Sequence, residues 1–311
     1  MIKHEETSIA ADNLAPLAAL IGFGEAAMAF VRGWGTAGLD VTRFNAFDIK
    51  TDNPSTDVGT AKRDDYGRAK VRGCDDLAEA LDGAPSVFSL VTADQSHAAA
   101  QNAAAVITPG TFYFDCNSCS PGTKRLSAVL IEAAGGRYVD TAVLAPVHPA
   151  LHRTPLLMSG PHADIAAAVL CDWDMSVDVI AGDVGTASSV KMIRSVMVKG
   201  LEALVLECVL AARTADVDEV VINSLEATYP GFGWRQRAAY MMERVTTHGV
   251  RRAAEMRESA LTVRELGLSG AMTDATVDWQ QRVGDLALPS GENDYRARAD
   301  AILAKLDEMR T

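Results

Sequence analysis

Aromatic residues are scarce, 6% of 311 residues, and basic residues are outnumbered, with 29 lysines and arginines against 41 aspartates and glutamates. The formal charge of -12 argues against a general nucleic-acid or anionic-membrane surface, while a local basic pocket could still take an anionic ligand. A small molecule is therefore the expected partner, with no nucleic acid and no membrane. Long apolar runs are also missing. None reaches the ~18 residues that a membrane span requires, and the opening MIKHEETSIAADN lacks a secretory apolar core. The five cysteines, at 74, 116, 119, 171 and 208, are odd in number and scattered, which fits reduced thiols in a cytoplasmic protein better than a disulfide framework.

The chain is long enough for two domains, and its 48% hydrophobic content supplies a substantial core. Residues 1–15 read as a flexible leader. The following LAALIGFGEAAMAFVRGWGTAG joins a short apolar strand to a glycine-rich turn and a helix. Gly22 permits the tight turn, Gly24 lets a pyrophosphate approach the backbone, and Ala27 allows close packing of helix on strand. Amides at the helix start then face the anion. The second strand, in DVTRFNAFDIK, ends at Asp48, 26 residues beyond Gly22. An acid there accepts hydrogen bonds from both ribose hydroxyls and repels a 2′-phosphate, which favours NAD over NADP. The expected cofactor contacts are Gly22, Phe23, Gly24, Glu25, Ala26, Ala27 and Asp48, with Thr92 at the end of a later strand.

That strand, SVFSLVT, is followed by a helical QSHAAAQNAAAVI and by a strand at TFYFD. GRYVDTAV, TPLLMSG and MSVDVIAG add three more strands. Strands buried on both faces need not alternate polar residues. The fold class expected is α/β plus all-α: an N-terminal Rossmann domain over 16–182 and a C-terminal helical domain over 183–311 for substrate binding and dimerisation. The apolar periodicity of SSVKMIRSVMVKGLEALVLECVLAAR reads as a helix joining the two modules, with the active cleft between them.

On these motifs the chain resembles the β-hydroxyacid dehydrogenase superfamily, which includes 6-phosphogluconate and hydroxyisobutyrate dehydrogenases. It looks closest to an NAD-binding, phosphogluconate-dehydrogenase-like branch, over roughly Pro16 to Leu286. The resemblance implies that DCNSCSP is the substrate-carboxylate loop, with Asp115, Asn117, Ser118 and Pro121 on the pattern and Asn117 replacing the usual serine. The amide of Asn117 can still donate, and Ser118 with the following backbone amides could complete an anion-binding turn; a capped helix beginning near Ser120 is the alternative. Asp140 lies on a second element that here lacks its usual glycine pair.

Gly185, Ala187 and Lys191 follow the superfamily's third element, which makes Lys191 the catalytic lysine by resemblance. Arg194 and Ser195 stand in place of the expected amide-bearing residue: Arg194 could engage a carboxylate or phosphate and Ser195 a substrate oxygen. The resemblance also implies a homodimer. The activity expected is NAD-dependent hydride transfer between the cofactor and a small hydroxyacid or its keto or semialdehyde counterpart. An imine reductase is the alternative enzyme, and a catalytically silent nucleotide-sensing dimer the alternative outside catalysis.

Other residues have two readings. His248, Arg251 and Arg252 in ERVTTHGVRRAAEMRES could reach substrate, with His248 entering its own or a partner's site, or could lie on an exposed, salt-bridged helix. Lys199 and Glu202 have the spacing of a local ion pair. His148 or His152 could enter the pocket, but with Pro149 between them the reading as residues of a surface loop is preferred. Cys116 and Cys119 bracket two residues but have no matching second pair, so no metal is expected.

Overall fold

The computed structural model describes residues 15–52, 56–289 and 291–309; the leader read over 1–15 lies, except for Ala15, outside them. Two compact units result, one comprising the described residues up to Asn117 with Thr123–Ala187, the other Ser118–Gly122 with the described residues from Ser188 onward.

In the first unit the strands are β1 (Ala18–Ile21), β2 (Phe44–Phe47), β3 (Arg72–Gly73), β4 (Ser86–Ser89), β5 (Phe112–Asp115), β6 (Arg137–Val143), β7 (Leu156–Ser159) and β8 (Val177–Val179). They form one sheet in the order β3-β2-β1-β4-β5-β6-β7-β8, parallel except for the antiparallel β6–β7 pair. Helices α1 (Glu25–Thr36), α2 (Asp57–Ala69), α3 (Leu77–Leu81), α4 (Ser96–Ala104), α5 (Pro121–Ala133) and α6 (Ala163–Asp172) alternate with them. Every residue of β1, β4 and β5 is buried, as continuous apolar strands covered on both faces require. The few aromatics are concentrated in this core. Trp34 stacks on Phe44 with centroids 4.8 Å apart and meets Trp173 edge-on, and Phe88 stacks on Phe114 at 4.7 Å.

His152 belongs to this core rather than to a surface loop: it is buried, and a Cβ added to Gly33 of α1 would lie 2.2 Å from its Nδ1. Gly33 makes room for that ring. His148 is exposed, as the loop reading expects.

The second unit is helical: α7 (Thr186–Thr214), α8 (Asp218–Thr228), α9 (Trp234–Glu265), α10 (Ala271–Gly284) and α11 (Tyr295–Glu308). Helix α9 meets α10 through Gly249 and Gly284; a Cβ on Gly249 would lie 2.3 Å from the Gln280 carbonyl oxygen and 2.7 Å from Gly284 Cα. Both glycines therefore serve close backbone packing. The expected local pair on α7 does not form. Lys199 reaches across to Glu255 of α9, and Glu202 pairs with the buried Arg252 and accepts a hydrogen bond from Gln280. Partners on a facing helix bury these charges, whereas a pair along α7 would have left them solvated. Among the described residues no helix is long and apolar enough to cross a membrane.

Candidate active site

The glycine turn lies at the carboxyl end of β1. Gly22 has φ +82°, and an added Cβ would lie 2.8 Å from the Leu90 carbonyl oxygen, so both conformation and space require glycine. Gly24 caps α1 without a side chain to bond its first amides, and open space surrounds the position of its missing Cβ. These features fit a dinucleotide pyrophosphate approaching the helix start. Ala27 is fully buried, as close helix packing demands. Phe23 is buried against Tyr66, with centroids 5.0 Å apart, which leaves its backbone rather than its ring to shape the turn. Glu25 is exposed and Ala26 half-buried at the first turn of α1, and Thr92 is exposed just beyond β4.

Asp48 follows β2 as expected, but its carboxylate already braces the turn. One oxygen accepts the Phe23 amide at 2.9 Å and the other the Lys50 amide at 3.1 Å. From the other side, Lys62 donates to the Phe23 carbonyl at 2.6 Å and pairs with Asp65 at 2.8 Å. Burial, reinforced by the Asp48 charge, raises the Tyr66 phenol far above its ordinary value. The turn is thus fixed by a carboxylate on its amide and an ammonium on its carbonyl.

At the end of β5, the substrate contact expected of Asn117 finds its donors spent. Asn117 is 3% exposed; its amide nitrogen donates to Asp115 at 2.7 Å, Ser89 at 2.9 Å and Ser96 at 3.3 Å, and its oxygen accepts the Val91 amide at 2.7 Å. The side chain fastens β4 to β5. Asp115 pairs in register with Asp140 of β6, and both carboxylates are fully buried. The fully buried Lys124 lies 3.0 Å from Asp115 and 3.7 Å from Asp140. Asp140 also accepts the Gly185 amide at 3.0 Å and the Ser159 hydroxyl at 3.1 Å, and Ser159 in turn accepts the Ala187 amide at 3.0 Å. One buried cation thus serves two carboxylates that would otherwise repel each other.

In the second unit Lys191 is half-buried, and its ammonium donates to Ser118 Oγ at 2.6 Å. Ser195, one turn on and buried, donates to the Lys191 carbonyl at 2.9 Å, leaving its oxygen able to accept. Arg194 is exposed. Burial pushes the carboxyl of Glu255 up, but Lys199, Arg251 and Lys191 outweigh it and hold it down at about 2. His248 is half-buried on α9; burial, together with Arg244 and Arg251, lowers its pKa and favours the neutral ring.

The anion-binding turn anticipated after Ser118 is filled by the protein itself. Glu258 accepts the Ser120 amide at 2.7 Å; Glu265 accepts the Ser120 hydroxyl at 3.0 Å and the Gly122 amide at 3.1 Å. Carboxylates suit the first turn of α5, where the helix dipole is positive. Among the described residues no group of three or more His, Cys, Asp or Glu could hold a metal ion.

The model of a domain of unknown function, DUF1932, matches residues 212–283. A conserved hypothetical protein from Sinorhizobium meliloti is 33% identical, covers 94% of this chain and 97% of its own, and superposes with a TM-score of 0.73. A conserved protein described as structurally similar to 3-hydroxyacid dehydrogenases is 26% identical over 86% of this chain and 96% of its own, with a TM-score of 0.66. The Mycobacterium tuberculosis 3-hydroxyisobutyrate dehydrogenase, solved with L-serine, shares the fold at 13% identity and a TM-score of 0.69 over 93% of this chain and 99% of its own. The chain belongs to one family with the Sinorhizobium meliloti protein, and its fold is that of the 3-hydroxyacid dehydrogenases.

An uncharacterized 28.5 kDa protein of Methanothermus fervidus is 29% identical over 116 residues, 37% of this chain; the chain spans 44% of that relative's length. Of the residues on the motif, the structure brings Ser118 and Lys191 together, bonds the Ser195 hydroxyl to the Lys191 backbone carbonyl and turns Asn117 inward. Lys62, Lys124, Glu258 and Glu265 are not evident from the motif. A lysine among the apolar positions of α5 was the one local sign of Lys124, and the recurrence of Glu255, Glu258 and Glu265 at helical spacing the one sign of an acidic face on α9.

Proposed function

We propose that the protein is an NAD-dependent oxidoreductase that moves a hydride between the cofactor and a small hydroxyacid or its keto or semialdehyde counterpart. The observation that carries this reading is the 2.6 Å hydrogen bond from Lys191 to Ser118 on the two elements that match the superfamily pattern. The glycine turn and Asp48 would hold the dinucleotide, whose nicotinamide accepts or returns a hydride when bound. Asp48, a carboxylate at the ribose position, supports NAD over NADP.

Lys191 manages the proton of the reacting oxygen. As an ammonium it donates to a carbonyl oxygen during reduction; once neutral it takes the hydroxyl proton back during oxidation. In the absence of substrate, Ser118 Oγ accepts that donor, and it remains beside the reacting group to share the hydrogen bond. Ser195 offers an acceptor on the same helix face. The neutral ring of His248 is a candidate donor or acceptor without a charge of its own. The Ser120 and Gly122 amides are engaged, so Arg194 is the group offered to an acid end of the substrate.

The carboxylates of α9 favour a second reading, reduction of a cationic iminium. A homodimer is also part of the proposal, supported by exposed Val190, Ile193, Met197 and Leu204 along α7. The test is nicotinamide absorbance with purified protein and NADH or NADPH across keto acids, semialdehydes and cyclic imines. Turnover of the first two groups is the expected outcome. Turnover of imines alone would move the assignment to the second reading, and cofactor binding without turnover of any would overturn the proposal.

A further inference from the structure

Helix α2 grips both loops that would hold the dinucleotide. Lys62 donates to the Phe23 carbonyl in the turn after β1 at 2.6 Å, and Arg63, the next residue, donates to the Thr51 carbonyl in the segment after β2 at 2.7 Å. Lys62 is 9% exposed, so its ammonium is largely withdrawn from water, and its carboxylate partner, Asp65, also pairs with the exposed Arg68. Burying a lysine to satisfy one carbonyl is costly, and a neutral donor would satisfy it as well. The charge has a use at this turn. Asp48 sets a buried carboxylate on the Phe23 amide at 2.9 Å, within the turn that would take the pyrophosphate, and repulsion between buried charges is little screened. Lys62 meets the same residue from its carbonyl side and offsets that acid. Its hydrogen bond also polarises the Phe23–Gly24 peptide, which strengthens the Gly24 amide as a donor.

We infer that Lys62 is a positioning residue for the pyrophosphate of the cofactor: acting through the Phe23 carbonyl, its ammonium offsets the Asp48 charge and holds the turn in the form that accepts a doubly charged group. This inference rests on the dinucleotide reading and adds a division of labour to it. Asp48 serves the ribose and repels the phosphates; Lys62 serves the phosphates. Removing Lys62 therefore weakens ligands that carry the pyrophosphate and spares those that lack it, whereas a brace that only shaped the turn would affect both alike.

ADP-ribose, which carries the pyrophosphate, and adenosine, which does not, are the probes, titrated into the full chain by calorimetry. Lys62→Met keeps most of the bulk and removes the charge; it should weaken ADP-ribose by about tenfold or more, the scale of a hydrogen bond to a charged group, and leave adenosine unchanged. Lys62→Arg should restore most of the loss. Arg63→Met, which removes a positive charge from the adjacent position, should leave the ratio of the two affinities as it is in the wild type. If Lys62→Met does not fold, Asp65→Asn reads the same charge from the other side: an ammonium relieved of its carboxylate should tighten ADP-ribose and leave adenosine unchanged. Equal losses for the two ligands, an equal change of ratio in Arg63→Met, or an ADP-ribose affinity that stays fixed in both Lys62→Met and Asp65→Asn would refute the inference and leave the dinucleotide reading standing. A wild-type protein that does not bind ADP-ribose would end both.

Discussion

Lys191 and Ser118, 73 residues apart in sequence, are joined by a 2.6 Å hydrogen bond in which the lysine donates to the hydroxyl. Neither residue is fully buried, so the contact can be exchanged for one to a ligand. An exposed lysine would be solvated, and a sealed one would be unable to reach a substrate.

Replacing Lys191 by methionine keeps most of the side-chain volume and removes the proton donor. We expect kcat to fall by about 10²–10⁴-fold, the usual contribution of a positioned acid or base, with the Kd for NAD nearly unchanged. Steady-state rates and a fluorescence titration of NADH check both halves, and an unaltered kcat would end the assignment.

Asp48→Ala should act on both the cofactor and the turn. The Phe23 amide loses its acceptor, so affinity for NAD falls, and loss of the negative charge moves the ratio of kcat/KM toward NADP. Asp48→Asn should retain more of the turn while still relaxing the ratio. A ratio that stays fixed in both variants would remove Asp48 from cofactor choice.

Gly249→Ala would ordinarily favour a helix. Here the added methyl meets the α10 backbone, and the helices must separate. We expect a net loss of about 1–3 kcal/mol, the usual cost of overpacking, seen as a lower urea midpoint at unchanged slope. A stabilised variant would show that the crossing yields easily.

Acid should unfold the helical unit early. The Tyr295 hydroxyl, with Arg296 and Arg213 and against the opposing effect of burial, holds Asp218 at about 2, below its ordinary 3.8; Glu255 is likewise held at about 2, below 4.5. For a carboxyl whose folded pKa is depressed, the stability it adds is complete above the unfolded value and disappears as pH falls through the folded one. Unfolding free energy should therefore drop between about pH 4.5 and 2, and Asp218→Asn should flatten part of that slope. Denaturant titrations at several pH values supply the measurement.

Much of the sheet was legible because its strands are short, apolar and buried on both faces, as AALI and FYFD show. The edge strand Arg72–Gly73 was not, since two exposed residues carry no period. Nor can the residues of LLMS show that they run antiparallel to β6. Lys191 and Ser118 stand out in the sequence because each lies on a spaced motif, and the structure joins them by a hydrogen bond. Their surroundings do not stand out: Glu258 and Glu265 reach Ser120 from 138 and 145 positions away, a separation that no local pattern encodes. Lys199 shows the same limit, since helical spacing offers Glu202 while the facing helix supplies Glu255.

Asn117 occupies the place where the superfamily pattern carries serine, and four neighbours now depend on its amide group. Grafting a serine hydroxyl into this one position would not import a relative's substrate preference. It would leave the Val91 amide without its acceptor and two serine hydroxyls without their shared donor. Any redesign of this loop has to exchange Ser89, Ser96 and residue 117 together, as one inseparable block.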